Sequence, residues 1–218
     1  MLRTRESLAE VLGQRLMISG PRAQHCFDEA SEVIVFGSMS AGLDRPDSDI
    51  DVLCIGGCDY KLKTGKLDLI VVPLEATKSR AWLQSELATH VGEYGTWIKG
   101  APSWKADVRI GPRVLHEKRR RVTAFMRSLQ SSWFKLEECF RAKYSVKLRR
   151  ETQRLILLEQ RIPVPPTRIL DCYWASVSKS PNQVCDRLRQ FASDAHGSFI
   201  EDLLARVDAH FQANSIRS

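Results

Sequence analysis

The segment VIVFGSMSAGLDRPDSDIDVLCI, residues 33–55, limits the fold more than any other part of the chain. It begins and ends on apolar runs. Between them lie two glycines and four aspartates, with Asp49 and Asp51 one residue apart. Short apolar runs bounded by turn residues read as buried strands, here 32–36 and 49–55. Strand alternation puts 49, 51 and 53 on one face and 50, 52 and 54 on the other.

Asp49 and Asp51 then share a face, with side chains roughly 6–7 Å apart along the strand. Two unpaired carboxylates this close repel each other, and the cost appears as a raised pKa. A divalent cation removes that cost, and oxygen-only ligands suit Mg²⁺ or Mn²⁺. Asp68 is the third candidate ligand. It stands between Leu67 and Leu69 in KLDLIVVP, 66–73, which also reads as a strand, and its short connection to 49–55 predicts an antiparallel neighbour. Three convergent carboxylates hold the two ions of a phosphoryl displacement. Upstream, a buried strand ends at Gly37-Ser38, where a short helix is expected to begin. The glycine allows close backbone approach, Ser38 offers a hydroxyl, and a helix start offers free N–H groups to an anion. Ser48 and Lys66 complete the nucleotide-binding candidates. Lys66 qualifies by sharing parity with Asp68, whereas Ser48 has an equal claim as a turn cap. Arg45, Lys61 and Lys63 also lie near enough in sequence to reach phosphates, but an exposed surface cation is the plainer reading of each. Asp44 and Asp47 read as solvated turn formers.

Together these residues carry a resemblance. GSMSAGLDRPDSDIDV has the Gly-Ser, the later Gly and the Ser-Asp-x-Asp-hydrophobic order of the DNA polymerase β-like nucleotidyltransferase superfamily, and KLDLIVV resembles its third-carboxylate strand. The likeness is to the small, minimal branch. It covers 30–75 by motif and roughly 5–110 by layout. It implies an α/β (α+β) nucleotidyltransferase fold, a small mixed sheet flanked by helices, followed by an all-helical C-terminal domain. It also implies that Gly37 and Ser38 bind the triphosphate and that Asp49 and Asp51 bind both metals. Asp68 would complete the catalytic metal site and help deprotonate the acceptor hydroxyl. The implied reaction is attack of that hydroxyl on the α-phosphate of a nucleoside triphosphate, ATP foremost, with release of pyrophosphate.

Elsewhere, 5–17 reads as a helix, with Ser7 and Glu10 at capping-box spacing. GGCDYKLKTG, 56–65, reads as a connector. Residues 76–91 read as one helix with Trp82, Leu83, Leu87 and Val91 as its stripe, and 92–104 as loop or edge strand. From about 112 the texture is helical, continuing over 135–160. RIPVPPTR, 161–168, breaks it, and Thr167 is placed to cap a helix from 168. Ser180-Pro181 marks another helix start, and a last helix is expected over 197–212. The expected domains are 1–110, catalytic, and 111–218, helical.

Charge separates the same two parts. The chain carries 33 Lys+Arg and 26 Asp+Glu, yet its first half is slightly acidic, and the basic surplus lies in 111–154. That block contains HEKRRR and RAKYSVKLRRETQR. It is either a solvated helical face or a surface for an anionic macromolecule held by backbone contacts. Arg119, Arg120 and Arg121 are the acceptor-binding candidates. Trp104, Trp133, Phe134 and Tyr144 could stack on bases, although aromatics at helical spacing more often build core. The six cysteines form no Cys-x-x-Cys pair and read as buried free thiols of a reducing, cytoplasmic setting. The five histidines form no cluster. The charged N-terminus lacks the apolar region of a secretory signal, and no apolar run spans a bilayer, so a membrane is not an expected partner.

The expected partners are a nucleoside triphosphate and an acceptor, first tRNA or another nucleic acid. A protein hydroxyl, as in toxin-neutralising members of the small branch, comes second. An aminoglycoside ranks lower, because a basic accessory half repels a polycation. A non-catalytic nucleotide or nucleic-acid binding module is the remaining alternative, and the intact carboxylates weigh against it.

Overall fold

The computed structural model describes residues 4–45, 48–57, 60–168 and 170. The expected helices at Ser180-Pro181 and over 197–212 lie outside them, as do Asp47, Cys58, Cys172, Cys185, His196 and His210. The chain divides into two compact units. The first is Met1–Gly111 with Pro163–Arg168, and the second includes Pro112–Ile162.

The first unit opens with helices α1 (Arg5–Ser19) and α2 (Pro21–Glu29). Leu8, Leu12 and Leu16 recur every fourth residue in α1 and are all buried. The cap of α1 is Thr4, whose hydroxyl accepts from Ser7 N at 3.2 Å. Ser7 itself lies inside the first turn, so the expected Ser7–Glu10 box does not form. Gly20, at φ +92°, and Pro21 at the next helix start force the turn between α1 and α2.

Strands β1 (Glu32–Phe36), β2 (Ile50–Ile55), β3 (Tyr60–Thr64), β4 (Leu67–Val72) and β5 (Thr96–Lys99) form one sheet in the order β3-β4-β2-β1-β5. Helices α3 (Gly37–Ser40), α4 (Leu74–Thr77), α5 (Arg80–Leu83) and α6 (Glu86–Tyr94) fill the connections. Alternation divides the core between the two faces of the sheet. Val33, Val35, Ile50, Val52, Cys54, Leu67, Leu69 and Val71 pack with the α1 leucines. Ile34, Phe36, Leu53, Ile55 and Val72 pack with Trp82, Ala88, Val91 and Trp104. Each fully buried aliphatic side chain contributes about 1.5–3 kcal/mol of transfer free energy. This is the mixed sheet flanked by helices that the sequence implied.

Three expectations change. Residues 60–64 are a strand, not a connector: Leu62 packs on the α1 side of the core while Lys61 and Lys63 take the opposite face. Because β3 takes the edge and pairs antiparallel with β4, β4 returns beside β2 in parallel, not antiparallel as a short direct connection would require. The single helix expected over 76–91 is three short ones, because Ser79 and Ser85 each turn a hydroxyl to a new helix start, accepting from Trp82 N and Ala88 N. The loop or edge strand expected over 92–104 contains β5, antiparallel to β1.

The buried carboxylate of Glu32 fastens that edge. It accepts from Trp97 Nε1 at 2.9 Å, from Ser103 N at 3.3 Å and from Ser103 Oγ. Three donors satisfy a charge that is only 4 % exposed.

In the second unit, α7 (Pro112–Ser132) and α8 (Glu138–Glu159) pair. The helix expected over 135–160 begins at Glu138, after a 3₁₀ turn at Trp133–Lys135. Val114, Val122, Met126 and Leu129 form the buried stripe of α7, and Lys118 lies in that stripe because Glu151 of α8 meets its ammonium at 2.8 Å. No helix of the described residues is long and apolar enough to cross a membrane.

Glu32→Ala leaves the Trp97 and Ser103 donors without their acceptor at the β1–β5 edge. The expected cost is about 2 kcal/mol of unfolding free energy, read as a lower urea midpoint at unchanged slope. An unaltered midpoint would refute a stabilising role for this network.

Candidate active site

One rung of the sheet carries the chemistry. Phe36 pairs with Asp51 across β1–β2, Asp51 with Asp68 across β2–β4, and Asp68 with Lys63 across β4–β3. In-register neighbours on adjacent strands share a face at a spacing of about 4.8 Å. Asp51 and Asp68 therefore stand side by side, on the face that Leu53, Ile55 and Val72 make apolar further along the strands. Asp49 precedes β2 and completes the group. Lys63 Nζ stands 3.2 Å from Asp49 Oδ2 and 3.4 Å from Asp68 Oδ2.

Gly37 follows Phe36 and closes the rung from the other side. Its φ is +76°, and a Cβ built there would overlap Asp51 Oδ2. Glycine is required twice, for the left-handed backbone and for the approach to the carboxylate. The helix that starts here, α3, has only four residues, so the expected contribution of a helix start to anion binding shrinks to the local N–H groups. The half-buried Ser38 has a hydroxyl with no partner among the described residues.

The electrostatics follow from the crowding. Burial, then Asp68, then Asp49 push the Asp51 carboxyl up to about 6, against the opposing pull of Lys63 and Lys61. Hydrogen bonds to Asp49 and Asp68 raise the Lys63 ammonium above its ordinary value. Asp68 Oδ1 is buried and has no hydrogen-bond donor among the described residues. A shielded carboxylate oxygen without a donor, next to a carboxyl whose pKa is raised by burial and by its acidic neighbours, is a group short of positive charge.

Whether these residues fit a divalent cation is decided by the donor set. Among the described residues, no three or more His, Cys, Asp or Glu side chains form a ready-made cage for an ion. Mg²⁺ seldom uses such a cage; it takes one or two carboxylates and completes its shell with water and substrate phosphates. All the donors here are carboxylate oxygens, one is orphaned, and the site stays partly open, with the Asp49 side chain 40 % exposed. The residues fit Mg²⁺ or Mn²⁺.

The other expected site residues are spread more widely. Ser48 closes a turn: its Oγ accepts from Arg45 N at 2.8 Å, and its N donates to Arg45 O at 2.9 Å. Lys66 lies at the turn before β4, where its carbonyl accepts from Ile50 N at 2.8 Å. Lys63 is the cation on the carboxylates, and reading 56–65 as a connector hid it. The period-two pattern of YKLKT, set against the Asp68 strand, was the available signal. In the second unit, Arg119 pairs with Glu159 at 2.7 Å, Arg121 stands 3.9 Å from Glu117, and the exposed Arg120 makes no ion pair among the described residues. Trp104 and Trp133 are core, Phe134 is 86 % exposed, and Tyr144 lies against Phe125 and Phe140. Of the described cysteines, Cys54 is buried, its thiol pushed up to about 12 by burial, while Cys26 is half-buried and Cys139 exposed, unlike the buried thiols expected.

The mixed sheet thus sets a Gly-Ser turn against a carboxylate rung. Residues 25–129 match the family model of the nucleotidyltransferase domain. Over those residues the chain is similar to that family, in keeping with the polymerase β-like, minimal nucleotidyltransferase motif it carries. The match supports nucleotidyl transfer as the general activity of this domain. No curated protein matches the chain.

The raised Asp51 carboxyl sets a pH dependence. In the metal-free protein the folded state holds this proton from the ordinary 3.8 up to about 6. The associated stability is present below the lower value and lost as pH rises through the upper one, a difference of about 3 kcal/mol. In EDTA, Asp51→Asn should exceed the native chain in unfolding free energy by about that amount at pH 8. The gap should close toward pH 4. A gap independent of pH, measured by urea denaturation, would contradict the assignment.

Proposed function

We propose that the protein transfers a nucleoside monophosphate from a nucleoside triphosphate, ATP most readily, to a hydroxyl of an anionic acceptor. RNA, such as tRNA, is the leading acceptor class. The observation that carries this reading is the rung that sets Asp51 beside Asp68, with Gly37 too close to Asp51 to be any other residue.

Asp49, Asp51 and Asp68 would hold Mg²⁺ or Mn²⁺, which when bound supplies charge neutralisation for the phosphates and for the developing pyrophosphate. The chain's own residues do the rest. Gly37 presents backbone to the triphosphate without a side chain in the way, and the Ser38 hydroxyl donates to a phosphate oxygen. Asp68 accepts the proton of the acceptor hydroxyl. The acceptor oxygen forms a bond to the α-phosphorus, the bond from that phosphorus to the β-phosphate bridging oxygen breaks, and pyrophosphate leaves with the electron pair. The apolar Leu53–Ile55–Val72 face below the rung keeps the carboxylates from relaxing into the core. The basic helices of the second unit support an anionic acceptor by charge.

Incubation with each α-labelled NTP and Mg²⁺ or Mn²⁺, with total RNA, lysate protein or an aminoglycoside added, tests the reading. Label is expected in RNA. Label in protein would move the acceptor to the second class, and no label in any acceptor would reject the enzyme. Asp68→Asn should lower transfer by at least ~10²-fold. Arg120→Glu should raise KM for the nucleic-acid acceptor and flatten its salt dependence, while leaving nucleotide affinity unchanged. Loss of both affinities together would remove Arg120 from acceptor binding.

A further inference from the structure

We infer that Lys63 is a resident counter-ion of the active site that exchanges with the divalent cation and then takes the triphosphate. The inference rests on the proposed nucleotidyl-transfer site and adds a residue that no motif of the sequence assigns.

The geometry is specific. Lys63 is the register partner of Asp68, and its ammonium touches two different carboxylates, Asp49 at 3.2 Å and Asp68 at 3.4 Å. It is therefore the cation around which the two carboxylates gather without metal. A divalent ion binding the same oxygens meets the ammonium as a competitor and a like charge. The lysine stem is four carbons long and its side chain is 62 % exposed, so the ammonium is free to leave the carboxylates without unfolding anything. A triphosphate delivered with the metal brings several negative charges to the same face, and the released ammonium is the nearest cation on the rung to meet them.

The plainer explanation is that β3 is an edge strand, and lysines on edges deter unwanted pairing with other chains. Lys61, on the same face of the same strand, fits that role better: its ammonium makes no ion pair among the described residues and acts on Asp51 only at longer range, more weakly than Lys63. Lys63 differs by its two carboxylate contacts. The two lysines thus form an internal control.

The test measures binding, not turnover. Mn²⁺ affinity is read from the free-ion electron paramagnetic resonance signal without nucleotide. Nucleotide affinity is read with a fluorescent ATP analogue in Mg²⁺. Lys63→Met keeps the aliphatic stem and removes the charge. It should bind Mn²⁺ about 3–10-fold more tightly and the nucleotide about 3–10-fold more weakly, the size expected for one partly screened charge at contact distance. Lys63→Arg should return both affinities toward the native values. Lys61→Met should move both by clearly less than Lys63→Met does. Opposite-signed shifts at Lys63 support the exchange, because a merely structural lysine would weaken both ligands together. An unchanged or weaker Mn²⁺ affinity in Lys63→Met, or an unchanged nucleotide affinity, overturns it while leaving the site intact. If the native chain binds neither Mn²⁺ nor nucleotide, the proposed function falls, and the role of Lys63 falls with it.

Discussion

The register of β2 against β4 is the constraint on which the remainder depends. It sets Asp51 directly opposite Asp68, and a slip of one residue would turn one of the two carboxylates to the α1 side of the core. Such a slip is prevented from both faces. Val52 and Leu69 must reach the leucines of α1, while Leu53, Ile55 and Val72 must reach Trp82 and Val91. The hydrophobic effect is non-directional, but on a pleated strand it acts on alternate residues and so fixes which carboxylates meet. The core is what makes the acidic site geometrically determinate.

The site is also where the fold is least satisfied. Asp51 is buried beside two other carboxylates, and Asp68 Oδ1 has no donor among the described residues. A carboxylate elsewhere in the same domain shows the alternative. Glu32 is more deeply buried, yet Trp97 and Ser103 saturate it, and it is part of the architecture. The contrast is between a charge given its donors by the protein and charges left for something else to complete. Lys63 meets only part of the need, from an exposed position where its attraction is screened.

Much of this was legible beforehand. The strands 32–36 and 49–55, the strand around Asp68, the shared face of Asp49 and Asp51 and the Gly37-Ser38 turn all follow from period-two patterning and glycine placement. What escaped was of another kind. YKLKT alternates as a strand, but two lysines between glycine-rich turns have the composition of a loop, and only the unsatisfied edge of β4 makes it a strand. With β3 missing, the β2–β4 connection looked too short to be parallel. Ser79 and Ser85 each match a helix start, and the apolar stripe running through them concealed both breaks. Lys118 stands at a core position of α7 that no single-helix reading would assign to a cation, since its partner Glu151 is on another helix.

By itself, the sequence singled out the carboxylates and the Gly-Ser turn as candidates for metal and phosphate, because that depends on residue type and spacing within single strands and turns. The order of the strands, the parallel pairing of β2 and β4, the meeting of Asp51 with Asp68 and the arrival of Lys63 between Asp49 and Asp68 were decided only in three dimensions. Those contacts join segments whose separation along the chain carries no signal of their distance in space. They are selected by the packing of both sheet faces at once, a property of the assembled core and not of any one stretch of it.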